Sequence, residues 1–347
     1  MDDEINEFLD KGTDEEGRFV ITKKVFKEHP IKIVFAFLCI LSFVGVNFWN
    51  AYAPLSIHNW NKKEISRIKV GDLDNFTFAV FGDNKGNYSF FEPLLSDVAQ
   101  DKEIAFAMDL GDLVGDGRRG QYRRFLNQVQ KNVAIPFLTA IGNHDLENGS
   151  NNNYQETFGP TYYAFQVGQC CFIVLDASKD SGFDRTERQW LEGELGKAQD
   201  MKARFVFMHI PPFDPRRDGI YLQGKDRNDL LDLFRRYKVT HLFTSHIHGY
   251  FSGTWEGIPY TITGGAGARL QGNDREHFFH HYMKVHVSNT NVDLTVRRIH
   301  AENVMVRFYY LIKYHPVEVG LLLFAGICML TLWLSVRRTA DSVNKNG

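Results

Sequence analysis

Short apolar runs that each close on a glycine and then on polar residues recur along the middle of this chain: FTFAVFGD over 76–83, EIAFAMDLGD over 103–112 and IPFLTAIGNHD over 135–145. Two later runs, ARFVFMHIPP over 203–212 and VTHLFTSHIH over 239–248, carry histidines toward their carboxyl ends. Between them, 184–199 and 226–237 space their apolar residues as amphipathic helices do. Continuous apolar runs bounded by turn residues are what strands buried on both faces look like, and their alternation with helices predicts an α/β fold. The runs 162–176, 251–263 and 281–299, the last with a Ser288-Asn289-Thr290-Asn291 turn, read as hairpins and predict a second sheet packed on the first. In open α/β sheets ligands bind beyond the carboxyl ends of the strands, so the five runs are expected to deliver their polar residues to one edge.

Two longer apolar segments frame this region. Ile31 to Ala53 has Lys32 at one end and Phe48, Trp49 and Tyr52 at the other, while Val317 to Val336 has only Glu318 as a charge and is followed by Arg337 and Arg338. Both are long enough to cross a bilayer. A cleavable signal peptide, suggested by Ala51-Tyr52-Ala53, is the alternative for the first, but thirty preceding residues are long for its leading region. Lys23, Lys24, Lys27 and Lys32 before the first segment and Arg337, Arg338 and Lys345 after the second place both termini in the cytoplasm. The expected organisation is a cytoplasmic tail over 1–30, a transmembrane helix over 31–53, a tether over 54–75, the main domain over 76–300, a juxtamembrane segment over 301–316, a second transmembrane helix over 317–336 and a tail over 337–347. The main domain then lies outside the cytoplasm.

Composition narrows the function. With a formal net charge of -2 across 347 residues the composition makes no electrostatic case for a nucleic-acid binder. Four cysteines, two in the apolar segments and two adjacent in a strand-like run, make no disulfide framework.

A lone Gly-Asp after a strand is a common turn, and a lone histidine is usually structural. Taken as a set, Asp83, Asp112, Asn143 with His144, His209, and His246 with His248 supply the carboxylate, amide and imidazole groups that borderline divalent metals favour. Their ordered blocks, GD at 82–83, GDLVGDG at 111–117, GNHD at 142–145, His209 and SHIH at 245–248, resemble the calcineurin-like metallophosphoesterase superfamily over about 76–300. That resemblance implies an α/β/β/α sandwich of two mixed sheets, here flanked by two transmembrane helices. It implies two divalent metal ions, drawn from Mn, Fe or Zn, with Asp112 bridging them. Asn143, His209 and His246 complete one site, and Asp83 and His248 belong to the other. It further implies hydrolysis of a phosphoester, mono- or diester, by a bridging hydroxide, with His144 as the catalytic imidazole. Asp145 is placed either to orient that imidazole through its other nitrogen or to hold the turn.

Two positions depart from the family pattern. Asp83-Asn84-Lys85 stands where Asp-x-His is common, so one site lacks its imidazole, and Ser245 replaces the more usual glycine before His246. Lys85 or the Asn84 amide is expected to contact the phosphoryl group, and the arginine pairs Arg118-Arg119 and Arg216-Arg217 to add positive charge, Arg118 and Arg216 foremost. The four histidines His277, His280, His281 and His286 imply no third site, because His281 and His286 fall on opposite faces of a strand. Of the three sequons, starting at Asn75, Asn87 and Asn148, two lie beside the first and third metal blocks, where a glycan would crowd the site, which favours a bacterial membrane over a glycosylating lumen. Membrane anchorage makes a lipid-linked substrate attractive. The non-enzymatic alternative is a membrane receptor that binds a phosphorylated ligand without turnover.

Overall fold

The computed structural model describes residues 30–53, 56–179, 182–216, 219, 221–222, 225–289, 291–300 and 304–345. The expected tail up to residue 29, Arg217 and Thr290 lie outside them. The chain divides into two compact units, one made of the chain ends up to Asn50 and from Leu311, the other spanning Ala51–Tyr310.

In the first unit, helix α1 (Pro30–Tyr52) and a long C-terminal helix, Pro316–Lys345, each carry an apolar stretch long enough to cross a membrane, Pro30–Trp49 and Pro316–Leu334. Most of their apolar side chains face outward, and the two helices meet where Phe35 and Phe324 pack edge to face, ring centres 6.4 Å apart. The helix continues to Lys345 where a tail was expected.

The second unit is built on two mixed sheets. The first runs in the order β11-β10-β1-β2-β3, from β1 (Asn75–Phe81), β2 (Ile104–Asp109), β3 (Phe137–Thr139), β10 (His281–Ser288) and β11 (Asn291–Arg298). The second runs β4-β5-β6-β7-β9-β8, from β4 (Tyr163–Val167), β5 (Cys170–Val174), β6 (Ala203–Phe207), β7 (His241–Thr244), β8 (Tyr250–Trp255) and β9 (Ile258–Thr263). The three expected hairpins form, but only two join the second sheet. The third, β10–β11, returns to pair antiparallel with β1. The five ligand-bearing strands are therefore split, β1 to β3 in one sheet and β6 and β7 in the other.

The apolar runs lack strict alternation because both faces of each strand are covered. Along β1, Phe76, Phe78 and Val80 point into the layer between the sheets, while Ala79 and Phe81 point to the helices α3 (Tyr88–Gln100) and α4 (Arg119–Asn132). The layer between the sheets is largely phenylalanine: Phe78 stacks on Phe106 at 5.1 Å and meets Phe172 and Phe205 edge-on. A third apolar core lies between the second sheet and the helices α5 (Arg185–Lys197) and α6 (Lys225–Arg236), with Leu191, Leu230 and Phe234 buried against Ile173 and Leu242.

The segment expected to be a tether is partly folded. Helix α2 (Trp60–Arg67) lies along the free edge of β3 and satisfies it with side chains. Trp60 Nε1 donates to Phe137 O at 2.7 Å, and Phe137 N donates to Glu64 Oε2 at 3.1 Å. Asn61 takes both backbone groups of Thr139, its Nδ2 donating to Thr139 O at 3.1 Å and its Oδ1 accepting from Thr139 N at 2.9 Å. An uncovered edge strand would leave such groups to water or to another chain.

Candidate metal centre

Three of the six metal-capable residues, and Lys85 beside them, leave their strands through a backbone turn that ordinary side chains avoid. Asp83, Lys85, Asp112 and His246 have φ of 62°, 47°, 56° and 67°, in the left-handed region. Such conformations cost on the order of 1–3 kcal/mol each and persist where surrounding bonds over-determine them. Here Asp83 N donates to Gly111 O at 3.0 Å, Lys85 N to Asp112 O at 3.0 Å, and Ser245 N to His209 O at 2.9 Å. Gly142 must be glycine, since a Cβ there would fall on Asp112 N and Oδ1.

The six expected ligands meet. His209 Nε2 lies 3.0 Å from Asn143 Oδ1, 3.3 Å from Asp112 Oδ1 and 3.3 Å from His246 Nδ1, and His246 Nδ1 is 2.9 Å from Asn143 Oδ1. His248 Nε2 stands 3.2 Å from Asp83 Oδ1, and one donor atom from each of Asp83, Asp112 and His248 falls within 4.8 Å of the others. Among the described residues Asp83 Oδ1 and Asp112 Oδ2 are buried without a hydrogen bond.

The outer ring nitrogens fix which atoms face inward. His209 Nδ1 sits 3.0 Å from Leu110 O and His248 Nδ1 2.6 Å from Arg269 O, so each ring keeps a proton on Nδ1 and turns Nε2 inward, where the lone pair of a neutral imidazole would point. Lone pairs gathered at such distances repel unless a cation lies among them. The donor set, carboxylate oxygen, amide oxygen and imidazole nitrogen, suits Mn, Fe or Zn.

Electrostatics follow the same geometry. Burial opposes ionisation of Asp83, but the charge of His248, then that of His209, and the Ser245 hydroxyl hold its carboxyl well below the usual range. Burial likewise opposes charge on His248, where Asp83 outweighs it and raises the pKa. Burial, with His209 adding to it, pulls His246 down to about 3.

Residues outside the cage sort differently from expectation. Asp145 does not orient His144: its carboxylate accepts from Gly142 N at 2.8 Å, Asp112 N at 2.9 Å, and Leu113 N and Val114 N at 3.3 Å. It clamps the second ligand loop to the third. The His144 ring is held instead by Gly115 O, 2.8 Å from Nδ1. Asn84 is fully buried, its Nδ2 on Asp109 Oδ2 at 2.7 Å and its Oδ1 on Gly86 N at 2.8 Å, so its amide shapes the loop rather than greeting a substrate. Arg118 is exposed beside Asp116 at 3.3 Å. Arg216 is gripped by both Asp214 oxygens and donates to Gln271 Oε1 at 2.9 Å. Lys85 points inward, Nζ 3.2 Å from Asp112 Oδ2.

Two positioning residues emerge: Ser245, noted in the sequence only for replacing the family's glycine, and Gln271, which the sequence did not single out. Ser245 Oγ and His246 N both donate to Asp83 Oδ2. Gln271 holds the backbone of two ligands, Nε2 donating to His246 O at 3.1 Å and N to His248 O at 3.3 Å. Gln271→Ala is expected to weaken metal retention by about 10–100-fold, the usual cost of losing a group that orients a ligand. A chelator titration of folded protein checks it, and an unchanged midpoint would show that the His246–His248 turn holds itself.

Two mixed sheets with helices outside them and a carboxylate, amide and imidazole cage at the strand ends define a metal-centred phosphoesterase fold. Residues 76–250 match the family described as calcineurin-like phosphoesterase, and the chain belongs to it. Among characterised proteins it is similar to serine/threonine-protein phosphatase CPPED1 of Rattus norvegicus, 31% identical over 182 residues, which covers 46% of this chain and 58% of that protein. It is also similar to a probable cyclic nucleotide phosphodiesterase of Rhodopseudomonas palustris, 29% identical over 178 residues, covering 47% of this chain and 64% of that one. The chain thus spans less than two thirds of the length of these relatives. Of solved structures, purple acid phosphatase PPD1 from yellow lupin superposes with a TM-score of 0.54 at 17% identity, covering 66% of this chain and 52% of that one. A dimetal phosphatase from Danio rerio gives 0.52 at 16%, covering 64% and 96%. At such identities the likeness is one of fold.

Proposed function

We propose that the chain hydrolyses a phosphate ester at a divalent-metal centre. One observation carries the reading: acceptor atoms from the loops after β2, β3, β6 and β7 converge around Asn143 Oδ1 at 2.9–3.3 Å with too few protons to hold them together. Asp112, Asn143, His209 and His246 would hold a metal in one half of the cage, with Asp83 and His248 forming the other half, and metal bound there would supply Lewis acidity toward phosphoryl oxygen and acidify water. His144 is the catalytic imidazole in this reading. Its Nδ1 proton is committed to Gly115 O, so a second proton on Nε2 makes the ring a cation able to protonate the leaving oxygen. Asp145 acts through the backbone of the loops.

The names of the relatives divide between a protein phosphatase and a cyclic nucleotide phosphodiesterase, so monoester and diester both stand as substrates for test. The two apolar helices support a protein held in a membrane at both ends. The lysines and arginines flanking them are the ground for termini in the cytoplasm and a phosphoesterase unit outside, where a lipid-linked phosphate is an attractive substrate. A held catalytic imidazole favours turnover over a receptor that only binds.

The test is hydrolysis of an aryl phosphate monoester and a diester by the purified chain, before and after chelation. Turnover lost on chelation and restored by Mn²⁺ is expected. Bound metal with no turnover of these esters or of lipid-linked phosphates would give the receptor reading precedence.

A further inference from the structure

We propose that the Lys85 ammonium stands in the place of one metal ion, so that the chain holds a single divalent metal in the half of the cage formed by Asn143, His209, His246 and Asp112 Oδ1. This deepens the metal-dependent reading of the site and rests on it. The two halves of the cage differ in what they need. Around Asn143 the crowd is of acceptors: His209 has its proton on Leu110 O, and its Nε2 meets Asn143 Oδ1, Asp112 Oδ1 and His246 Nδ1 within 3.0–3.3 Å. Hydrogen bonds cannot satisfy that arrangement, since His246 brings at most one proton to it while neutral.

On the other side of Asp112 a cation is already present. Lys85 Nζ lies 3.2 Å from Asp112 Oδ2, the carboxylate oxygen left without a hydrogen bond and turned away from His209. The lysine is no loose surface arm. Its side chain is 23% exposed, its N–H is bonded to Asp112 O, and its φ of 47° fixes the direction in which the side chain leaves the loop. A protonated amine has three donors and no lone pair, so it cannot serve as the ligand that an imidazole at this position would be. A metal bound to Asp112 Oδ2 would instead sit against a like charge. Asp83 does not require a second ion either. Ser245 Oγ and His246 N hold its Oδ2, and His248 faces its Oδ1 at 3.2 Å. The ammonium is thus a built-in, non-exchangeable positive charge beside Asp112.

The full-length chain is equilibrated with excess Mn²⁺, desalted, and its metal content measured by mass spectrometry together with the Mn²⁺ electron paramagnetic resonance spectrum. The expected result is one manganese per chain with the spectrum of an isolated ion, and two per chain with an exchange-coupled spectrum in Lys85→His. Lys85→Gln, which removes the charge and offers a carbonyl oxygen, is the second variant and is expected to move the same way. Two ions in the unaltered chain overturn the proposal and leave the metal centre intact. A single ion in all three proteins also overturns it, because the ammonium is then not what keeps the second ion out. No manganese in the unaltered chain brings down the metal-centre reading and this proposal with it.

Discussion

Exchanging Asp112 for asparagine is expected to empty the metal centre and lower hydrolysis by about a thousandfold or more. Lewis-acid stabilisation of a phosphoryl transition state is worth several kcal/mol, and each 1.36 kcal/mol is a factor of ten in rate. Asp112 is where the loss should be largest, because one carboxylate serves both halves of the cage. Its Oδ1 faces His209 at 3.3 Å and accepts from His144 N at 2.8 Å, while its Oδ2 meets Lys85. Asparagine keeps the acceptor for His144 N, so the third loop stays in place and the change isolates charge from shape. Metal analysis, circular dichroism and steady-state rates on the same preparation separate the possibilities. A folded variant that keeps both its metal and its turnover would sink the catalytic assignment of the cage.

His144→Ala is expected to act on chemistry and leave the metal content unchanged, since the ring makes no contact with the cage acceptors described above and rests on Gly115 O at 2.8 Å. General acid catalysis contributes on the order of 10²–10⁴ in rate. The size of the loss should depend on the leaving group. An alkyl phosphate leaves as a strongly basic alkoxide and needs the proton, so it should show most of that factor. A nitrophenyl phosphate leaves as a stable phenolate and should show far less. Measuring kcat for both ester types in both proteins gives the answer directly, and equal losses would mean that His144 does not donate to the leaving oxygen.

The parts of the molecule that could be read from sequence are those written in side-chain type and period. The strand runs were visible because β1 buries Phe76, Phe78 and Val80 on one face and Ala79 and Phe81 on the other, and the ligand set was visible because carboxylate, amide and imidazole residues close those runs. What stayed hidden was written in backbone. The carbonyls of Leu110, Gly115 and Arg269 aim three imidazoles, and a carbonyl has no letter of its own. The sequence leaves Asp145 between orienting His144 and holding a turn, and the four backbone N–H groups that take its carboxylate decide for the turn. The β10–β11 hairpin was placed in the wrong sheet because alternation reports that a strand has a buried face, and is silent on which neighbour it pairs with. Lys85 was read as a substrate contact, and its reach inward to Asp112 depends on a left-handed backbone at a non-glycine residue that no pattern announces.

Helix α2, laid along β3, separates what can be recognised from what can stand alone. The stretch that matches the family begins at residue 76, after α2 has ended at Arg67, and stops at residue 250, before β9, β10 and β11. A piece cut to those limits would keep every cage residue and still be incomplete as an object. Phe137 and Thr139 would lose the side chains that answer their backbone groups, and β1 would lose β10, its antiparallel neighbour. Kinship is recorded where chemistry constrains the letters. Independence is decided by which amides and carbonyls find a partner, and in this chain that boundary begins at the residues that follow the first apolar helix.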